Sequence, residues 1–447
     1  MTAFVALVLD VTHQEGEDNL LYASKTNETN ASLHHLRGML AAAAGACRTV
    51  FLDCISSASL HPDVQAAYVD QGDLLFVLLH APSSQLISIP TREYLEQCAQ
   101  RSFGLLLSAC GPPGPKLVHW KSDDLDLLCK PLFRLFDHEL SEGVMSALFP
   151  RAIPALRLSL SSLFAFHGYL SEPLPNSCCG RAFFHDGQLV HSELDSNQTY
   201  ILFQWRAFFG SPDSPEASLA SRAIFVDRQP FELLFLRHDR WSLCALYTRE
   251  ASVDVASAQD LLVAIHRHVT VDKASSWTTG AADACHVVGF DLVDHSVLEH
   301  TAPSMADAAN RRAFAQHVQG MRRRFLHAQD LYDRVHATVI EQPMRPLADE
   351  NDDSLAAPDM GVLPSRLSIF RPDPVVANAI SHQVMRVRMD KAVRWVVGAR
   401  YAAWELYAWL DPARTTMEAV EALFDELVAF GSLTHNDTCD EAAPKAE

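Results

Sequence analysis

The sequence lacks most of the motifs from which chemistry can be read. None of its 21 histidines stands in H-E-x-x-H, no serine stands in G-x-S-x-G, and no G-x-x-x-x-G-K is present to cradle phosphates. The ten cysteines are scattered without a C-x-x-C, and Cys178–Cys179 is the sole adjacent pair. That spacing excludes a disulfide framework and a zinc knuckle, and reads as reduced thiols in a cytoplasmic setting. The sequons at Asn27, Asn30, Asn197 and Asn436 are then chance matches. No run of 18 apolar residues occurs, and Met1–Leu9 has neither a basic lead nor a cleavage site, so neither a membrane span nor a signal peptide is expected. Basic charge is also scarce: 36 Lys and Arg face 55 Asp and Glu, a net charge of −19. A broad acidic surface repels nucleic acid and anionic lipid, which excludes both as general ligands.

The remaining candidates for catalysis fail on geometry. His266 and His268 are two apart on a helical stretch, as His34 and His35 are one apart, and such residues do not share a face. Gly111 and Gly114 stand among Pro112, Pro113 and Pro115, which remove the backbone donors a phosphate cradle needs. No carboxylate pair has the apolar flanks used in acid–base work. No conventional active site, metal or cofactor is expected.

What the sequence does have is length, with 447 residues of which 48% are hydrophobic and 20% charged, enough for two to four globular domains. The most informative stretch is VRWVVGARYAAWELYAWL (393–410). Trp404, Leu406, Ala408 and Leu410 alternate with Glu405, Tyr407 and Trp409, the period of a strand. A helix is expected next, with Thr415 as N-cap and Glu418 completing a capping box. Its inner face would carry Met417, Val420, Phe424, Leu427 and Val428, and Gly431 would stop it.

A similar element order is traceable twice more. RAFFHDGQLVHSEL (181–194) predicts a hairpin turning at Asp186-Gly187. Asp195 then caps a helix with Ile201, Trp205, Phe208 and Phe209 inside. Strands follow at Ala223–Val226, Phe231–Leu236 and Trp241–Tyr247, and a helix over 257–269. At the N-terminus, strands are expected at Ala3–Leu9 and Leu20–Ala23, and a helix over Ser32–Cys47. Three strands come next, at Thr49–Cys54, Val64–Val69 and Leu74–His80, then helices over 91–109 and 122–140, the latter containing Pro131. The last stretch opens with a strand over His286–Leu292 and an arginine-rich helix over 307–336. The expected fold class is α+β, with three tandem α-β-α units and antiparallel sheets. Their expected bounds are 1–141, 155–275 and 284–435, with a polar loop over 342–364 and an acidic tail over 436–447.

Trp395-Val396-Val397-Gly398, Glu405-Leu406-Tyr407 and the closing helix resemble the end of the vacuolar-fusion Ccz family (calcium-caffeine-zinc sensitivity). LLYAS (20–24) and FFHDGQLVHSEL (183–194) are further cues to that family. The resemblance implies three longin-type domains and a role as one subunit of a guanine-nucleotide exchange factor. The other subunit would be a Mon-like tri-longin protein, and the substrate a Rab-seven-type small GTPase at late endosome, vacuole or lysosome membranes. Hermansky–Pudlak and Inturned proteins share that plan and are alternatives. A non-catalytic GTPase-binding scaffold is a third.

The small residues Ala41–Ala44, Gly45 and Ala46 on the first helix would let another backbone approach closely, or simply let the helix pack on its own sheet. In the family the first longins pair and present the GTPase-binding surface. The resemblance therefore points to Leu33, His35, Arg37, Met39 and Ala43 on this helix, and to Thr49 and Phe51 beyond it. Arg322, Arg323 and Arg324, with Arg311 and Arg312 upstream, form the one basic concentration. They read as a solvated helix face or as a contact for acidic lipid or an acidic partner.

Overall fold

The computed structural model describes residues 4–10, 20–24, 30–51, 54–61, 64–71, 74–80, 92–111, 122–142, 148–149, 151–156, 158–170, 177–209, 219–249, 254–271, 285–300, 307–341, 381–389, 392–401, 403–410 and 416–436. The chain divides into two compact units, Met1–Ala315 and Gln316–Glu447.

The first unit begins with β1 (Phe4–Asp10), β2 (Leu20–Ala23), α1 (Asn30–Ala46), a π-helical turn (Cys47–Phe51), β3 (Ser57–His61), β4 (Val64–Asp70), β5 (Leu74–His80), α2 (Arg92–Cys110) and α3 (Ser122–Glu142). The five strands form an antiparallel sheet in the order β2-β1-β5-β4-β3. β1 and β5 are apolar almost throughout because both faces of the sheet are covered. Val5, Leu7, Leu9, Leu75, Val77 and Leu79 meet Leu40 and Ala44 of α1. Phe4, Ala6, Val8, Leu74, Phe76 and Leu78 meet α2 and α3. Pro131 lies inside α3 without ending it. Gly111 stops α2 at φ 84°, its amide donating to Leu107 O at 2.8 Å, a left-handed cap that suits glycine.

The unit continues with β6 (Ile153–Pro154), α4 (Leu160–Leu170), β7 (Cys178–His185), β8 (Gln188–Ser192), α5 (Ser196–Phe209), β9 (Leu219–Val226), β10 (Gln229–His238), β11 (Trp241–Thr248) and α6 (Val255–His268). Its second antiparallel sheet runs β8-β7-β11-β10-β9, the same connectivity as the first. Asp186 and Gly187, at φ 48° and 84°, make the β7–β8 turn as expected. Asp195 caps α5 by accepting from the Gln198 amide at 2.8 Å, and Asp254 caps α6 by accepting from Ser257 at 3.1 Å.

One face of this second sheet, with Ala182, Phe184, Leu233, Phe235, Cys244 and Leu246, shares a continuous core with α2, α3 and α5. The opposite face packs on Phe166 of α4 and on Leu262 and Ile265 of α6. The two sheets therefore enclose a common helical layer. β12 (Cys285–Asp291) and β13 (Ser296–His300) follow as an antiparallel pair, and β13 also pairs in parallel with β6. Phe149 stacks on Phe290 with ring centroids 4.5 Å apart.

α7 (Ala308–Glu341) leads into β14 (Ser381–Met389), β15 (Ala392–Arg400), β16 (Trp404–Leu410) and α8 (Met417–Asn436). In the second unit β15 pairs antiparallel with both β14 and β16. Trp404 is buried and Trp395 half-buried, while Val420, Leu423, Phe424 and Leu427 form the buried stripe of α8. Gly398 lies where a Cβ would come within 2.9 Å of Met321 Sδ and 3.2 Å of the Tyr407 ring, so a larger residue here would have to displace both side chains.

Two strands, a helix, three strands and a helix thus recur along the chain, and the fold class is α+β with antiparallel-dominated sheets. Several expectations need correction. Thr49–Phe51 are not in a strand: they extend α1 as a π-helical turn, and β3 starts at Ser57. The Thr49 hydroxyl donates to Gly45 O at 2.9 Å, and Arg48 pairs with Asp70 at the end of β4, which together hold the turn in place. Gly431 does not stop α8, which runs to Asn436. The described N-cap of α8 is Thr416, accepting from the Ala419 amide at 3.3 Å, whereas Thr415 lies outside the described residues. The prolines 112, 113 and 115, the loop over 342–364 and the tail beyond Asn436 also lie outside them.

Candidate functional site

α1 has an inner and an outer face. Leu36, Leu40 and Ala44, spaced by four, turn towards the first sheet. The outer face carries Gly38, Met39, Ala42, Gly45, Ala46, Thr49 and Val50, all exposed and all uncharged. Met39 is 59% exposed and Val50 69%. Two large apolar side chains thus bracket a floor of small ones over about three turns. In a chain of net charge −19, an uncharged exposed strip of this length is unusual, and exposed apolar groupings mark contact surfaces. The Arg48–Asp70 pair fixes the end of the strip to β4.

Of the residues expected here, Met39 and Thr49 lie on the outer face and Ala43 is half-buried at its margin. Leu33, His35 and Arg37 belong to α1 and Phe51 to the π-helical turn, but their side chains lie outside the described residues. Sequence reasoning missed Val50. The β-branched pair Thr49-Val50 reads as strand, and only helical continuation past Ala46 puts Val50 one turn beyond Ala46 on the Met39 face.

The arginine run divides. Arg322 Nε donates to Glu405 Oε2 at 2.9 Å, and Arg400 donates to Oε1 at 3.1 Å. Glu405 is fully buried, and the Tyr407 hydroxyl, 3.2 Å from Oε2, completes its shell. Arg322 is thereby committed to the interior of the second unit, while Arg323 and Arg324 are exposed. Within the first unit, Arg311 pairs with Glu142, and Arg312 donates to Ser141 O.

The described histidines come together only in pairs, as His238 with His266 and His167 with His191. The His266 ring packs edge-on against His238, whereas His268 stacks on Tyr169. Among the described residues no group of three or more His, Cys, Asp or Glu could hold a metal ion. His80, His191 and His286 are inside the first unit, and burial pushes them down to about 4, 4 and 3. Cys98, Cys129, Cys178 and Cys244 are buried free thiols, and burial pushes Cys129 and Cys244 up to about 12, which leaves them unreactive. Among the described residues no helix is long and apolar enough to cross a membrane. No protein-family model and no curated protein matches the chain.

The arrangement on α1 is suited to binding rather than to bond-making. Among the described residues it offers close backbone approach, two apolar anchors and no titratable group on the outer face. Its counterpart would be another uncharged, shape-matched surface.

Proposed function

We propose that the chain is a Ccz-like tri-longin subunit of a heterodimeric guanine-nucleotide exchange factor. It acts with a Mon-like partner on a Rab-seven-type small GTPase during late endosome or vacuole fusion. The observation that carries this reading is the exposed, uncharged outer face of α1, bracketed by Met39 and Val50. It lies in the first of the recurrent α-β-α arrangements, where a longin pairing surface would be needed. The identical connectivity of the two complete sheets of the first unit supports the longin assignment.

Exchange needs no active-site proton transfer. A GTPase that holds its nucleotide near picomolar affinity is stabilised by about 16 kcal/mol. A factor that binds the nucleotide-free form better than the loaded form lowers the barrier to release by that difference. Each tenfold acceleration takes about 1.4 kcal/mol, within reach of a few well-placed contacts. In this reading Arg323 and Arg324, exposed on α7, are the arginines of the run that would face an acidic membrane surface.

The test is release of a fluorescent nucleotide from a loaded Rab-seven-type GTPase by the purified heterodimer. Acceleration is expected with the heterodimer and not with the chain alone. If the heterodimer forms but accelerates release from no Rab, the chain is a GTPase-binding scaffold instead.

A further inference from the structure

A cleft of about 630 Å³ opens in the first unit between α2 and α5, closed at one end by the β9–β10 turn. That is the size of a pocket for a small organic ligand. Its lining is mixed, with the aromatic side chains of Phe103, Tyr200 and Phe225 set among glutamines. Gln204 lines it while only 7% exposed, and although its amide lies beside the Tyr200 hydroxyl, its Nε2 makes no well-formed hydrogen bond among the described residues. A buried donor left unmatched is unfavourable, and an acceptor on a molecule in the cleft would relieve it.

Arg151 and Arg228 also line the cleft, and neither forms an ion pair among the described residues. Both hold positive φ, 54° and 68°, a region in which arginine is strained. Arg228 follows Asp227, itself at φ 48°, in a tight turn where Asn-Gly would be relaxed. Charge inside the cleft runs against the charge of the chain. Its lining holds three arginines and one carboxylate. Arg101 is neutralised by Glu139 at 2.7 and 3.0 Å, and the lone carboxylate, Asp227, accepts from Asn197 Nδ2 at 3.0 Å. Arg151 and Arg228 thus have no carboxylate partner among the described residues, in a protein of net charge −19.

We propose that this cleft binds a small ring-bearing anion: its phosphate or similar anionic group on Arg151 and Arg228, its ring along the aromatic side chains, and an acceptor reaching Gln204. The site is independent of the α1 face and of any GTPase.

Isothermal titration of the full chain with phenyl phosphate tests it, with inorganic phosphate and phenol as the two halves of the probe. Phenyl phosphate is expected to bind at one site, phenol not measurably, and inorganic phosphate at least about tenfold more weakly than phenyl phosphate, since it forgoes the aromatic side chains. Arg151→Glu with Arg228→Glu should weaken phenyl phosphate at least about tenfold, as charge-assisted bonds are lost. Both residues are exposed, so the melting temperature should not change. Gln204→Leu should weaken binding several-fold in a chain that melts as the parent does. Absence of phenyl phosphate binding, or binding unaltered by the arginine reversals, would overturn the proposal, as would phenol binding as tightly as its phosphate ester.

Discussion

The indole Nε1 of Trp205 on α5 donates a 3.0 Å hydrogen bond to the Oγ of Ser108 on α2, across 97 positions of sequence. Both residues are buried, and the Ser108 hydroxyl itself donates to Leu105 O at 2.9 Å. This bond sits in the helical layer shared by the two five-stranded sheets. It makes α2 and α5 one element of packing, although they fall in what the sequence suggests are separate domains.

Trp205→Ala should therefore destabilise both sheets. Loss of a fully buried indole costs about 3–5 kcal/mol, and it also leaves Ser108 Oγ without its donor. Hydrogen exchange should quicken together in β1 and β5 and in β7 and β11. Faster exchange confined to β7 and β11 would show that the two sheets unfold independently.

The fold was legible in sequence where one local rule governed. The β7–β8 hairpin followed from Asp186-Gly187, and β5 from six consecutive apolar residues. It was illegible where tertiary contacts outweighed propensity. β-branched Thr49 and Val50 favour a strand, but the Arg48–Asp70 pair and the Thr49 back-bond to Gly45 keep them helical. β13 was missed because five residues carry too little periodicity, and β14 because Arg386 and Arg388 interrupt its apolar run. Their alternation with Val387 and Met389 was the available signal. Gly431 looked like a stop, but glycine is tolerated inside a helix. The candidate face depended on seeing α1 continue past Ala46, so Val50 could not be found from the sequence.

In the second unit, Glu405 should be indispensable and its neighbours unequal. Removing one partner of a buried ionic cluster costs about 3–5 kcal/mol, because the remaining charges stay desolvated. Glu405→Ala would leave Arg322 and Arg400 in that state. Arg323→Ala and Arg324→Ala, at exposed positions, should each shift stability by no more than about 0.5 kcal/mol. Urea unfolding followed by Trp404 and Trp409 fluorescence separates these cases. Equal effects from all three substitutions would contradict the inward pairing of Arg322.

Acid should destabilise the first unit through its buried histidines. The folded-state values of His80 and His286, about 4 and 3, lie below the unfolded value near 6.5. The contribution is therefore fully present above pH 6.5. It is lost as pH falls towards 4 and then 3, because the unfolded chain takes up protons first. Within that window each histidine removes up to about 1.4 kcal/mol per pH unit. Neither ring nitrogen of His80 has a hydrogen-bond partner among the described residues, so His80→Leu should be close to neutral at pH 7 and should reduce the fall in stability between pH 6.5 and 4. Urea midpoints across that range give the slope. An unchanged slope would remove His80 from the account.

The α1 face makes the sharpest functional prediction. Met39 and Val50 are mostly exposed, so Met39→Asp and Val50→Asp should alter stability by no more than about 0.5 kcal/mol each. In the proposed heterodimer, however, each would bury an unpaired carboxylate against an uncharged surface, which is strongly unfavourable. Leu40→Asp is the contrasting substitution, because it strikes the inner face and should unfold the sheet itself. The expected pattern is normal melting of the chain alone with Met39→Asp or Val50→Asp, loss of co-purification with the Mon-like partner, and loss of nucleotide release. If the partner is retained while release is lost, the strip meets the GTPase rather than the partner, and the exchange reading stands. If both variants assemble and discharge the Rab at the parental rate, the outer face of α1 is not a functional surface, whatever its exposure.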